Sequence, residues 1–400
     1  AYIMNVTQGK MSGIQASSVF NVVGDHMRGI QGSGVFNIVS GNVTGIQGAG
    51  IFNINAGAVE GLQGSGIFNI NAGQLIGIQG AGIFNVNNGD LKGVQGAGIF
   101  NINNGYLEGM ELAGIFNIQS GYMEGMQLAG IFNHSGNGKS SSGAQVAGIY
   151  NMVTGSLDGG QVAGIFNHVS SELAGIQIAG IHNYATKSQG VQIATINISG
   201  ESTGAQIGVL NISAGNTKGL QLGVINIADE QQGVPIGLIN YSNNGSIDLQ
   251  VWRTNMVPVN AGIRFRSNYV YTLVSIGGLE WEKINSTNDV SNIKKGDLMA
   301  RGFHVGAHIP IYRFYISGDV GYVEMDRKKY FNYEIEPDEE NTEDEHHLQV
   351  RAILGVELPA RFSLFAGVGA NWEKAFMNSH PENNYSLFYM GGVSFKVFGK

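Results

Sequence analysis

The chain contains no cysteine. Disulfide scaffolds, thiolate metal sites and thiol redox chemistry are thereby excluded. Proline is scarce, 6 in 400 residues, which rules out collagen-like and proline-rich architectures despite abundant glycine. Charged residues make up only 13% of the chain, about half of the ~25% usual in soluble globular domains. The net charge of −8, with no basic patch interleaved with aromatics, argues against a nucleic-acid partner. No apolar run approaches the ~20 residues of a membrane-spanning helix. The sequence starts at Ala1 rather than Met. That start is expected of a processed chain whose signal peptide has been removed, and equally of a trimmed one.

What the chain has instead is repetition. An Asn recurs at Asn5, Asn21, Asn37, Asn53, Asn69, Asn85, Asn101, Asn117 and Asn133, every 16 residues. The series continues at Asn151, Asn167, Asn183, Asn197, Asn211, Asn226 and Asn240, at intervals of 14 to 18. Gln fills a second column at Gln15, Gln31, Gln47, Gln63, Gln79 and Gln95, is replaced by Glu111, and resumes at Gln127, Gln145, Gln161 and Gln177. Phe precedes the Asn at Phe20, Phe36, Phe52, Phe68, Phe84, Phe100, Phe116, Phe132 and Phe166, with Tyr150 and His182 as exceptions. From Asn197 on, that column turns aliphatic and one residue is lost between Gln and Asn, so the unit tightens.

The unit reads as strand and turn. Gly and β-branched residues are poor helix formers, and the latter favour strands. Asn-Ala-Gly, Asn-Asn-Gly and Gln-Ser-Gly read as the turns. Two arrangements suit strands of this length: one coil of a β-solenoid per unit, or one strand of an up-and-down barrel per unit. Column identity favours the solenoid. Equivalent residues then stack ~4.8 Å apart, and Asn-on-Asn, Gln-on-Gln and Phe-on-Phe ladders become favourable. Sixteen such coils would span about 75 Å. The candidate stacking ladder is Asn37, Asn53, Asn69, Asn85 and Asn101 with Gln47, Gln63, Gln79 and Gln95.

Alternation over residues 46–54 puts Ile46, Gly48, Gly50, Phe52 and Ile54 on one face and Gln47, Ala49, Ile51 and Asn53 on the other. Either face can be the inner one. Many of the repeat's few charges share one column (Arg28, Glu60, Lys92, Glu108, Glu124, Asp158). A soluble solenoid would spread charge over its whole surface. One wet edge and a dry remainder favour amides inside and an apolar exterior in lipid. The candidate lipid-facing residues are Phe36, Phe52, Phe68, Phe84, Phe100, Phe116, Phe132 and Phe166.

After a turn-rich boundary at Tyr241–Ser246 the pattern changes to long alternating segments, clearest in 303–311 and 348–358. Similar strands read at about 256–266, 269–283, 314–326, 362–374 and 386–398. The eighth strand is expected from 246–252 or from the last repeat. Short turns near Ser267, Tyr312 and Ala360 oppose long polar connections at 284–298, 327–345 and 375–385. This is the pattern of an outer-membrane β-barrel. Trp252, Trp281, Tyr322, Tyr330 and Trp372 are the candidate interfacial girdle. An eight-stranded barrel is filled by its own side chains, so it is expected to anchor rather than conduct.

Other chemistry finds little support. His304 and His308 share a strand face but stand ~13 Å apart, which suits lumenal filling better than catalysis. The acidic run Glu334–Glu345 suits a solvated loop better than a cation site, and adjoining His346 and His347 form a weak zinc candidate. There is no phosphate-binding loop and no Asp-bearing calcium nonapeptide. No enzyme and no cofactor are expected.

The Gly-x-Gln-x-Ala-Gly-Ile-Phe-Asn unit resembles the short Gly-rich repeat of bacterial surface proteins from spirochaetes and Gram-negative relatives. A repeat region joined to a small C-terminal barrel resembles a superfamily of lipid-trapping outer-membrane proteins. In that family an intramembrane solenoid fused to a barrel closes into homo-oligomeric rings around lipid. The resemblance implies a structural outer-membrane protein with membrane lipid and further copies of itself as partners. Two alternatives are a surface-displayed, adhesin-like solenoid and a porin-like barrel built from the 16-residue units. The expected layout is a solenoid at 1–245 and a barrel at 246–400.

Overall fold

The computed structural model describes residues 2–284, 293–331, 342–374 and 385–399, and side chains outside 279–298, 327–344 and 373–384. The chain is all-β: a parallel β-solenoid followed by a closed antiparallel barrel of eight strands. Contacts divide it into two compact units, Ala1–Gly208 and Val209–Lys400. The second contains the last coils as well as the barrel.

Each 16-residue coil has a long strand, such as Val43–Ala49, and a short one, such as Phe52–Asn55. Each strand pairs in parallel with its equivalent one coil on, as in Val43↔Val59 with Gln47↔Gln63, and Phe52↔Phe68 with Asn53↔Asn69. Like therefore stacks on like. Parallel pairing removes the porin-like reading, because neighbours in an up-and-down barrel run antiparallel.

Burial decides which face is inner. Gln47 and Asn53 are 1% and 0% exposed, whereas Ile46 is 45% exposed. The Phe rings lie on the outer surface, half-buried by their own stacking. Two details differ from simple alternation. A bend at Gly50–Ile51 rotates Ile51 outward to 36% exposure, so it does not share a face with Gln47. Asn55, Asn71 and Asn87 are also not turn residues. Each ends a short strand with its side chain buried, and the bend falls on the residues that follow.

The amides share the interior with an apolar column: Val43, Val59, Leu75, Leu91, Leu107 and Met123. Glycine at the third position of the long strand permits the stacking. Gly77 has φ +132°, and a Cβ there would lie 2.0 Å from the Gly61 carbonyl oxygen. Gly80, three residues on, has open space around its would-be Cβ.

The barrel strands are Ser246–Thr254, Val259–Ser267, Val270–Ile284, Ile293–Ile311, Phe314–Phe331, Thr342–Glu357, Phe362–Lys374 and Tyr385–Gly399. The eighth strand is thus supplied by Ser246–Thr254, which closes the barrel through Val251↔Val393. Strand structure extends into two segments expected to be loops, over Ile293–Leu298 and Arg327–Phe331 with Thr342–Glu345. The reason is length. The fifth strand has 18 residues, well beyond the ~9–11 that cross a bilayer, so polar sequence there continues the ladder past the apolar band. The tight turns carry positive φ at Asn268, Tyr312, Ala360 and Arg361.

Gly77→Ala is expected to cost about 2 kcal/mol or more, from the strained φ and the collision with the coil below. Gly80→Ala is expected to be nearly neutral. Thermal unfolding of the two purified variants checks the contrast.

Candidate functional site

The interior of the solenoid is a set of hydrogen-bonded amide columns. Asn37 Nδ2 donates one proton to Asn53 Oδ1 (2.8 Å) and the other to the Gly48 carbonyl (2.8 Å). Asn53, Asn69, Asn85 and Asn101 repeat both bonds at 2.8–2.9 Å. The Nδ2 donors and the Oδ1 acceptor are satisfied by neighbouring coils, which is how an amide can be fully buried at little cost. Hydrophobic or ionised residues in this column would leave the inward-turned carbonyls without donors.

The Gln column runs in the opposite sense. Gln47, Gln63, Gln79 and Gln95 each donate backward to the Gln one coil earlier, at 2.6–2.9 Å. Asn donates forward and Gln backward, so the two rows of amide dipoles oppose each other. A third row, unrecognised in the repeat because its residues resemble a turn, links Asn55 to Asn71 (3.0 Å) and ties it across to Gln47 (2.9 Å).

Glu111 breaks the Gln row. It is fully buried, and Gln127 Nε2 donates to its Oε2 at 2.7 Å. Gln95 Oε1, its neighbour in register, has no donor, and Glu111 Oε1 has no partner.

The exterior is apolar on both sheets and at the corner between them. Phe36, Phe52, Phe68, Phe84, Phe100, Phe116 and Phe132 form one outer stack with centroids 4.9–5.0 Å apart. Phe166 continues it through Tyr150. The corner column Ile51, Ile67, Ile83, Ile99, Ile115 and Ile131 is exposed by 36–39%. Charge stays at the opposite edge, where Glu60, Glu108, Glu124 and Asp158 are exposed and Lys92 pairs with Glu108 at 2.8 Å.

The barrel interior is filled. Arg264 donates from Nε and Nη2 to a single oxygen of Asp248, Oδ2 (2.9 and 2.7 Å), whereas Arg351 and Asp319 form a bidentate pair (2.7 and 2.9 Å). Tyr271, Tyr315, Phe365 and Phe388 pack around them. A cavity lined by Trp252, His304, Arg351 and Phe388 measures about 20 Å³, roughly one water. His304 contacts Gln349 (3.4 Å), and His308 contacts Ser317 (3.0 Å) and Arg266 (2.6 Å), so both fill the lumen separately. Trp252 is 5% exposed. It points inward and does not belong to an interfacial girdle, because alternation from Leu249 and Val251 turns it into the barrel. Tyr322 and Trp372 are exposed on the outer wall by 48% and 41%. The side chains of Trp281 and Tyr330 lie outside the described residues, as does most of the acidic run. His346 hydrogen-bonds with Tyr322, and His347 with Asn371 and Glu345. Among the described residues no group of three or more His, Asp or Glu is placed to hold a metal.

No family model matches the chain, and no curated protein matches it. Among solved structures it is similar to the N-terminal β-barrel domain of OprF from Pseudomonas aeruginosa, at 13% identity over 38% of this chain and 98% of that chain, with a TM-score of 0.25. A similarity this distant carries no functional argument.

Glu111→Gln would supply a donor to Gln95 Oε1 and keep an acceptor for Gln127. It is expected to stabilise the solenoid by about 1–3 kcal/mol where Glu111 is ionised, the cost of the orphaned atoms, and by less where a protonated carboxyl can itself donate to Gln95 Oε1. Comparison of unfolding temperatures checks this, and a lower value for the variant would show that the carboxyl is not a defect in the row.

Proposed function

We propose that the chain is a structural outer-membrane protein whose barrel anchors it and whose solenoid lies in lipid, with several copies closing into a ring that encloses a lipid patch. No catalytic role is assigned to any residue. One observation carries the reading. The solenoid has its polar groups inside and an apolar exterior over two sheets and a corner, with charge held at one edge. In water such a surface would drive aggregation; in a bilayer it is the surface required.

The barrel supports the same compartment. Its wall carries an apolar band bounded by exposed Phe362 at one end of the seventh strand and exposed Trp372 at the other. Those ten steps span about 34 Å along the strand, or about 25 Å along the membrane normal at the usual ~40° tilt, which is the height of a lipid-facing band. The filled interior favours an anchor over a conduit. The ring adds a reason for a flat apolar wall of many coils, since a wall with lipid on both sides can separate two lipid regions.

Electron microscopy of the particle extracted in mild detergent is expected to show closed rings of several copies. Mass spectrometry of the same sample is expected to find lipid that survives detergent exchange. A lipid-free monomer would overturn the reading. Removal of the solenoid by protease on intact cells would instead favour a surface-displayed, adhesin-like protein.

A further inference from the structure

We infer that the wet edge of the last coils, those within Val209–Lys400, faces the periplasm, so that these coils enter the outer membrane from the periplasmic leaflet with their dry corner buried. The inference rests on the membrane reading above and adds an orientation to it. The evidence lies within the unit Val209–Lys400, which holds the last coils together with the barrel.

These coils have the same two edges as the earlier ones. At one edge Lys218, Asp229, Glu230, Gln232, Asn243 and Asn244 are exposed. At the other, Val224 and Leu238 are exposed by 43% and 49%. The final short strand, Ile239–Ser242, runs from the dry corner toward the wet edge and lies against the barrel. Its contacts fix the direction. Asn240 Nδ2, the end of the Asn row, donates to Thr272 Oγ1 at 2.6 Å. Two residues further on, Ser242 Oγ meets Ser267 Oγ at 3.3 Å. Ser267 immediately precedes the tight turn at Asn268, and Thr272 lies beyond it, farther up the wall. Movement along the coil toward its wet edge is therefore movement toward the end of the barrel that carries the tight turns. Tyr241 agrees, with its ring 5.1 Å from Phe398 at the same end of the last barrel strand.

In outer-membrane barrels the short turns are periplasmic. The exposed aromatics Tyr269, Tyr312 and Phe314 cluster at this end, as at a headgroup boundary. Depth fits as well. The path from the dry corner at Val224 to Ala228, the last residue before the exposed Asp229 and Glu230, is about 13 Å, against a hydrocarbon core of about 30 Å. A coil that enters from one side therefore stays within about one leaflet, so a single wet edge suffices.

The absence of native cysteine gives a direct test. Single variants Lys218→Cys, Asp229→Cys, Val224→Cys, Leu238→Cys and the turn reference Tyr312→Cys are offered a membrane-impermeant maleimide. The reagent is applied to intact cells and to cells with permeabilised outer membranes. Full labelling after denaturation shows that each thiol is present and reactive. Lys218→Cys and Asp229→Cys are expected to label together with Tyr312→Cys, only after permeabilisation. Val224→Cys and Leu238→Cys are expected to stay unlabelled in both states. Labelling of Lys218→Cys in intact cells overturns the orientation while leaving the membrane reading intact. Labelling of Val224→Cys and Leu238→Cys alongside the wet edge means that the coils stand in water, and the membrane reading itself falls.

Discussion

The two-proton hydrogen bond of a buried asparagine governs the solenoid. Each Asn amide gives one proton to its counterpart in the next coil and one to a backbone carbonyl there, as Asn85 does with Asn101 and Gly96. A side chain one methylene longer or shorter would miss one of the two acceptors. Identity down the column follows, and with it a fixed register, since a slip of one residue would set Gln47 against Leu62 or Gly64 and Asn53 against Phe68 or Ile70, and leave several buried donors unpaired. The Gln row, broken at Glu111, and an apolar row that changes only from Val to Leu to Met between Val43 and Met123 complete the interior.

The apolar exterior depends on that interior. Once the polar groups are consumed inside, the strand's alternation sends Phe and Ile outward, and the surface left over suits lipid. The barrel has the more usual lumen, with two buried Arg–Asp pairs inside aromatic walls. Ion pairs of this kind fix geometry more than they add stability. In both parts of the chain, most polar atoms satisfy one another inside and the outside is left apolar.

Much of this was legible in the sequence, because periodicity of 16 and identity within columns are direct consequences of coil stacking. The amide rows and the barrel's alternation were read on that basis, down to the tight turns near Ser267, Tyr312 and Ala360. Other features were hidden for physical reasons. Asn55 stands before Ala-Gly and resembles a turn, and only the backbone shows that the bend starts after it. Ile51 left its expected face because a bend breaks the period of two. Trp252 resembles a girdle residue by type, but its parity in the first barrel strand turns it inward. The long strands run past the expected loop boundaries because a barrel ladder does not need apolar residues once it leaves the apolar band. Glu111 was visible as an exception in its column, but its cost appears only when the donor missing at Gln95 is counted.

The claim that the solenoid is polar inside and lipid-facing outside is tested most directly by a reporter on the Phe stack. With Trp252, Trp281 and Trp372 replaced by Phe, Phe84→Trp places a sole indole on the outer face of a central coil. In vesicles that contain brominated lipid, its emission is expected to be blue-shifted and quenched by the bromine, with no response to aqueous iodide. Emission that is red-shifted, quenched by iodide and indifferent to brominated lipid would place the Phe column in water and contradict the account.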